Sequence, residues 1–170
     1  MVREIQLTQG KVALVDDEDY NSLMEFNWFA ARQRRRNREV YYAVRSAINT
    51  DGRYNKQVFM HRIILGLDEE DLGVKTDHED GDGLNNQRYN LRRATYGQNN
   101  SNRIKTQEAS SRYKGVSWDT RAEKWVVQIQ HNHHRFRLGF FDDEEEAAKT
   151  YDREALKLFG EFARTNFEVR

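Results

Sequence analysis

The sequence predicts an α+β protein built as two modules, and three observations lead there. Short apolar-alternating bursts run through residues 1–60, giving a strand period without a helical one. A second group of three such runs lies between Tyr113 and Phe140, and a stripe of apolar residues at helical spacing follows it. Between the groups, residues 104–112 are polar and aperiodic, as a linker would be. A chain of 170 residues is long enough for one medium domain or two small ones.

The first module opens with Ile5-Gln6-Leu7 and Val12-Ala13-Leu14-Val15, both strand-like. Asp19 to Met24 reads as a helix, because the carboxylates from Asp16 to Asp19 complement the positive end of a helix dipole. Val40-Tyr41-Tyr42-Ala43-Val44 and Gln57-Val58-Phe59 are further strands, and an arginine block between Ala31 and Val40 is expected in the hairpin loop. Met60 to Leu65 is a short helix stopped by Gly66. Asp68 to Asp71 is a solvated acidic turn. Val74 to Glu79 and Leu91 to Thr95 are candidate antiparallel strands, and Tyr96 onward begins a helix carrying Asn99.

In the second module, Tyr113 to Trp118, Trp125 to His131 and Phe136 to Phe140 are strands. Asp142 with Glu145 three residues on has the form of a capping box. Ala147, Ala148, Tyr151, Ala155, Leu158 and Phe159 then mark one helix face, ended by Gly160. Proline is absent, so turns must rest on glycine and on Asn or Asp.

Composition narrows the chemistry. Charged residues at 33% against 37% hydrophobic ones imply a soluble protein with a modest core, in which the 12% aromatics carry much of the buried area. The absence of cysteine excludes disulfides, thiolate zinc sites and a cysteine nucleophile. No apolar run reaches a membrane-spanning length, and the residues after Met1 lack a signal-peptide profile, so the expected location is the cytoplasm. Net charge is zero, yet positive charge is segregated: Arg88, Arg92, Arg93, Arg103 and Lys105 occur with no acid among residues 88–105. Arg32, Arg34, Arg35, Arg36 and Arg38 form another basic block. A nucleic acid responds to such local potential more than to the net value.

The densest concentration of chemistry is Asp77-His78, the loop Glu79-Asp80-Gly81-Asp82-Gly83-Leu84-Asn85-Asn86, then Asn90 and Asn99. A neutral histidine can take a proton from water, and a cation opposite it can stabilise a departing phosphate-ester oxygen. Adjacent strand residues face opposite sides, so Asp77 and His78 can hold separate roles. Oxygen ligation by Asp77 and Asn99 would suit magnesium, with manganese as the alternative, and would not suit zinc. An EF-hand is excluded because the loop's carboxylates and glycines do not fall at its spacing. The plain alternative is a histidine beside acids in an ordinary surface loop.

Met60-His61-Arg62-Ile63-Ile64, Thr76 to Asn86, Asn90-Leu91-Arg92 and Gln98-Asn99 together resemble the HNH endonucleases of phage and intron homing type. That resemblance implies a ββα-metal motif within residues 1–103, with His78 as general base and Asp77 and Asn99 as metal ligands. It implies that Asn90 tethers the loop without binding metal. His61 and Arg62 are expected on a packing helix.

The second module supports a separate reading. Alternation puts Trp125, Val127 and Ile129 on one side and Val126, Gln128 and Gln130 on the other, with Phe136 and Leu138 opposed to Arg135 and Arg137. Arginine can read guanine and glutamine adenine in a major groove, although an ordinary solvated sheet face would show the same pattern. Tyr113-Lys114-Gly115-Val116, Lys124-Trp125, Leu138 to Asp142, Glu145 to Asp152, Phe159 to Ala163 and Asn166-Phe167 are similar to the APETALA-type DNA-binding domain, across about residues 110–168. That domain occurs in plant ethylene-response transcription factors and in phage homing nucleases. The resemblance implies contacts from Lys114, Ser117, Gln128, Gln130, Arg135 and Arg137. Ser117 and the glutamines depart from the arginine-rich plant pattern, so its sequence preference should not transfer.

The combined expectation is a magnesium-dependent DNA endonuclease. It comprises a nuclease module over residues 1–103, a linker over 104–112 and a DNA-binding domain over 113–170. Double-stranded DNA is the partner, gripped at its phosphates by Arg92, Arg93 and Arg103. The protein acts as a monomer or homodimer in the cytoplasm of a bacterium or phage-infected cell. The rival is a non-catalytic DNA-binding regulator that keeps the nuclease scaffold.

Overall fold

The computed structural model describes residues 1–35, 38–48, 54–68, 71, 73–102, 110–132 and 134–167. Within these, the α+β expectation holds: every sheet is antiparallel, and a sheet-plus-helix layer closes the chain. Two compact units are present, Met1–Thr95 and Tyr96–Arg170. Residues 103–109, most of the expected linker, lie outside the described residues.

In the first unit β1 (Val2–Gln6) pairs with β2 (Val12–Asp16), and alternation along β2 sends Ala13 and Val15 fully into the core. Helix α1 (Asp17–Leu23) begins with three acids in its first turn, as its dipole favours, and ends where the Leu23 carbonyl accepts the Trp28 indole N–H at 2.7 Å. Strands β3 (Phe29–Arg35), β4 (Arg38–Ile48) and β5 (Tyr54–Phe59) form a second sheet in that order. The arginine block is therefore not confined to a loop. Arg32, Arg34 and Arg35 belong to β3 and Arg38 to β4, because strand pairing continues to the Arg35–Arg38 rung. Arg36 lies outside the described residues. Helix α2 (Met60–Ile64) buries Met60, His61 and Ile64, and Gly66 follows in the left-handed region at φ 61°. Arg62 is used internally, donating to the carbonyls of Asp68 (2.6 Å), Val74 (3.1 Å) and Asp71 (3.3 Å). Strands β6 (Lys75–His78) and β7 (Leu91–Ala94) pair antiparallel with Asp77 opposite Arg92.

Helix α3 (Tyr96–Ser101), which carries Asn99, belongs to the second unit. The Ser101 hydroxyl donates to the Phe162 carbonyl at 2.9 Å, and the Lys114 ammonium donates to the Ser101 carbonyl. The expected ββα-metal motif is corrected accordingly: its two strands pair in one unit and its helix is fastened within the other.

Strands β8 (Val116–Asp119), β9 (Lys124–His131) and β10 (His134–Phe141) make the last sheet, with β9 central. Helix α4 (Glu144–Phe159) packs against it. Its cap is Asp143, accepting the Glu146 amide at 2.7 Å, one residue later than the expected Asp142. Asp142 instead pairs with Lys124 at 3.0 Å. The buried stripe of Ala147, Ala148, Tyr151 and Ala155 meets Val116, Val127 and Ile129. Contact is close enough that a Cβ on Gly115, at φ +77°, would lie 1.9 Å from the Tyr151 ring.

Two penalties coincide at that position, a left-handed backbone and a ring that cannot retreat from the core. Gly115→Ala should destabilise the second unit by about 3 kcal/mol or more. Urea unfolding followed by tryptophan fluorescence measures this, and an unshifted midpoint would show that the contact yields freely.

Candidate nucleic-acid interface

The loop after β6 is the leading candidate for chemistry in the sequence, and its geometry assigns most of its polar atoms to the loop itself. The Asn90 carboxamide spans it, accepting from the Asp80 amide at 3.0 Å and donating to Asp80 Oδ1 at 3.0 Å and the Asn85 carbonyl at 2.8 Å. Asp80 accepts the Asp82 amide at 2.7 Å, and Asp82 accepts that of Leu84 at 3.0 Å, so both acids close turns. The N-terminal strands hold the whole loop. Leu14 donates to the Leu84 carbonyl at 2.9 Å and accepts from the Asn86 amide at 2.8 Å. Asp16 takes the Arg88 amide at 2.8 Å, while Asp19 takes the Arg88 guanidinium at 2.6 and 2.8 Å.

Asp77 is almost completely buried, and its Oδ2 accepts Arg92 Nη2 at 2.5 Å and Nε at 3.2 Å. The strand register explains this, since residues directly opposite on an antiparallel pair share a face. His78 is buried with its ring edge-on to His61 at 5.1 Å, and Tyr42 and Phe59 complete the aromatic group around them. Burial lowers the His61 pKa well below 6.5, and the neighbouring His78 and Arg62 lower it further. Burial likewise lowers that of His78, against opposing pulls from Asn86 and Asp80. These residues do not fit a magnesium ion: the Asp77 carboxylate is engaged by the Arg92 guanidinium already. Arg92, with a side chain 12% exposed, is likewise spent on Asp77 rather than presented to phosphate.

The C-terminal sheet offers a different kind of surface. Cross-strand register sets Arg135 opposite Gln130 and Arg137 opposite Gln128, and these four share the face turned from α4. Ser117 joins them through Val126, its partner on β9. Arg135, Arg137 and Gln130 are exposed. The register shifts between Arg137 and Gly139, where Gly139 takes φ +153°. That bulge brings Phe140 onto the arginine row, with its ring 5.2 Å from the Arg137 guanidinium carbon. Strict alternation could not reveal Phe140, although a glycine inside a strand pattern is a signal of a bulge. Lys114 is engaged internally instead. Burial, aided by Arg164, lowers its pKa to about 8 as its ammonium reaches the Ser101 carbonyl.

A basic, amide-bearing sheet backed by one helix is the geometry against which known proteins can be compared. Residues 111–161 match the AP2 domain. An AP2/ERF and B3 domain-containing protein of Oryza sativa subsp. japonica is 48% identical over 60 residues, covering 35% of this chain and 16% of the relative. A second, putative AP2/ERF and B3 domain-containing protein of that species is 49% identical over 57 residues, or 34% and 18% of the two chains. The AP2/ERF and B3 domain-containing transcription repressor TEM1 of Arabidopsis thaliana is 44% identical over 59 residues, or 35% and 16%. The chain thus spans less than a fifth of the length of these curated relatives.

These findings overturn the endonuclease expectation. The segment matched is that of the AP2 domain, residues 60–99 lie outside it, and the relative with a stated activity is a transcription repressor. Hydrolysis by His78 and the magnesium or manganese ion that served it are withdrawn with that reading. The expected bacterial or phage-infected cytoplasm falls too, because the relatives named are plant proteins. Among the described residues, no helix is long and apolar enough to cross a membrane.

Removing the Arg92 guanidinium takes away the cation that faces a buried carboxylate, so Arg92→Ala should cost the first unit about 3 kcal/mol, read as a lower urea midpoint. Histidine burial gives a pH dependence of defined sign. Unfolded His61 takes up a proton near 6.5 that the folded chain refuses, so stability is full above that value and declines as pH falls below it. Melting of the first unit should drop between about pH 7.5 and pH 5.5, and His61→Phe should flatten the profile. An equal slope in that variant would assign the effect elsewhere.

Proposed function

We propose that this chain is a non-catalytic DNA-binding regulator whose three-stranded sheet docks on duplex DNA. One observation carries the reading: two arginine–glutamine pairs stand in alternate rungs, and so on one face, of the sheet in a segment that matches the AP2 domain. Arg135 and Arg137 offer forked donors that suit guanine O6 and N7, and Gln128 and Gln130 offer the donor–acceptor pair that suits adenine. Ser117 can hydrogen-bond either base. Arg93 is exposed, and although one of its nitrogens donates to the Leu65 carbonyl at 2.7 Å, it can add a phosphate contact. Arg103, assigned the same role from sequence, lies outside the described residues.

Duplex DNA is favoured over duplex RNA because the RNA major groove is too narrow to admit a sheet. The first unit keeps the loop scaffold of a nuclease-like sequence as a folded support. One sheet per chain serves one recognition site as a monomer, and a homodimer would serve a twofold-related pair.

Selection from a random duplex pool, followed by equilibrium binding, tests the reading. The chain should enrich a preferred sequence, and Arg135→Ala with Arg137→Ala should each cost about 1–3 kcal/mol on it. Gln128→Ala should relax preference at one position more than it weakens overall binding. A pool that returns without enrichment would end the proposal.

A further inference from the structure

The first unit contains a second surface suited to DNA. Strand β5 pairs with β4 only from Val44 to Ile48, whereas β3 pairs with β4 from Val44 back to Arg38. Rungs from Ala30–Ala43 outward therefore form a two-stranded ribbon, with β3 as the sheet edge. The ribbon is rooted in the core, since Ala30 and Ala43 are buried beside Trp28 and Met60. Its outer half carries Arg32, Arg34, Arg35 and Arg38 against a single acid, Glu39. That acid is claimed, because Arg32 bonds it at 2.9 Å and the Tyr41 hydroxyl donates to it at 3.0 Å. Arg34 is exposed and pairs with no acid among the described residues. At the end of the ribbon the register sets Arg35 opposite Arg38.

We infer that this arginine ribbon is a second DNA-contacting element, which grips the phosphate backbone of the duplex that the AP2-type sheet reads. A two-stranded ribbon has the width that a major groove or its phosphate rims accept. Guanidinium groups bind phosphate oxygens through paired N–H donors. The contact supplies affinity without sequence preference, because phosphates carry no base information. The inference rests on the duplex-binding function proposed for the sheet, and it gives the chain two contacts on one partner.

The test compares the intact chain with the double variant Arg32→Gln/Arg34→Gln and with Arg135→Gln, each titrated on the selected duplex over a range of salt. Each lost phosphate contact reduces the slope of log K against log salt by about 0.9. The double variant should flatten the slope by about 1 to 2 and weaken binding roughly tenfold at low salt, with its base preference unchanged. Arg135→Gln should alter the preference. Lysine at both ribbon positions should restore most of the slope, which a purely structural role for the arginines would not predict. A double variant with the parental slope would overturn the ribbon's role and leave the sheet's intact. No duplex binding by the intact chain would overturn both.

Discussion

The close seating of α4 on its sheet is the constraint from which the geometry of the sheet's outer face follows. Alanine at positions 147, 148 and 155 lets the helix approach, and Gly115 leaves room for the Tyr151 ring. The neighbouring carboxylate then fixes the tail. Asp152 accepts the Asn166 amide at 2.8 Å, the Asn166 side chain at 2.9 Å and the Phe167 amide at 3.0 Å. Asn166 in turn accepts the Lys114 amide at 2.6 Å and donates to the Lys114 carbonyl at 3.2 Å. A buried acid on the helix thereby locates the start of β8, and with it Ser117. Networks of this kind specify a single arrangement because each member left unsatisfied would be costly.

Much of the architecture was legible from period alone. Alternation located the strands, Gly66 and Gly160 ended helices where expected, and the polar and apolar faces of the C-terminal sheet were assigned to the correct sides. Small errors have local causes. Asp142 and Asp143 are both competent caps, and only the Lys124 ion pair shows which one was free to serve. The arginines of β3 have the charge of loop residues, yet an edge strand tolerates such charge well.

The chemistry was less legible for a deeper reason. A loop without proline must tie its own amides with Asn and Asp side chains, and those residue types are also the ones that bind hard cations. Spacing does not separate the two uses. Arg92 does, since it lies directly across the ladder from Asp77, but recognising that requires the register as well as the sequence. Residues 1–60 supply the Leu14 hydrogen bonds, the Asp16 contact and the Asp19 contact that hold this loop.

The irregularity at Leu138 has its own consequence. By inserting one unpaired residue, β10 changes phase midway and sets a flat aromatic surface beside a row of cations. Contacts of the first kind draw on dispersion and water release, which added electrolyte does not screen, whereas those of the second kind fade as counterions compete. A ligand held by a face that mixes the two would keep part of its affinity in brine. One extra residue in a strand thus sets the balance between the two kinds of surface.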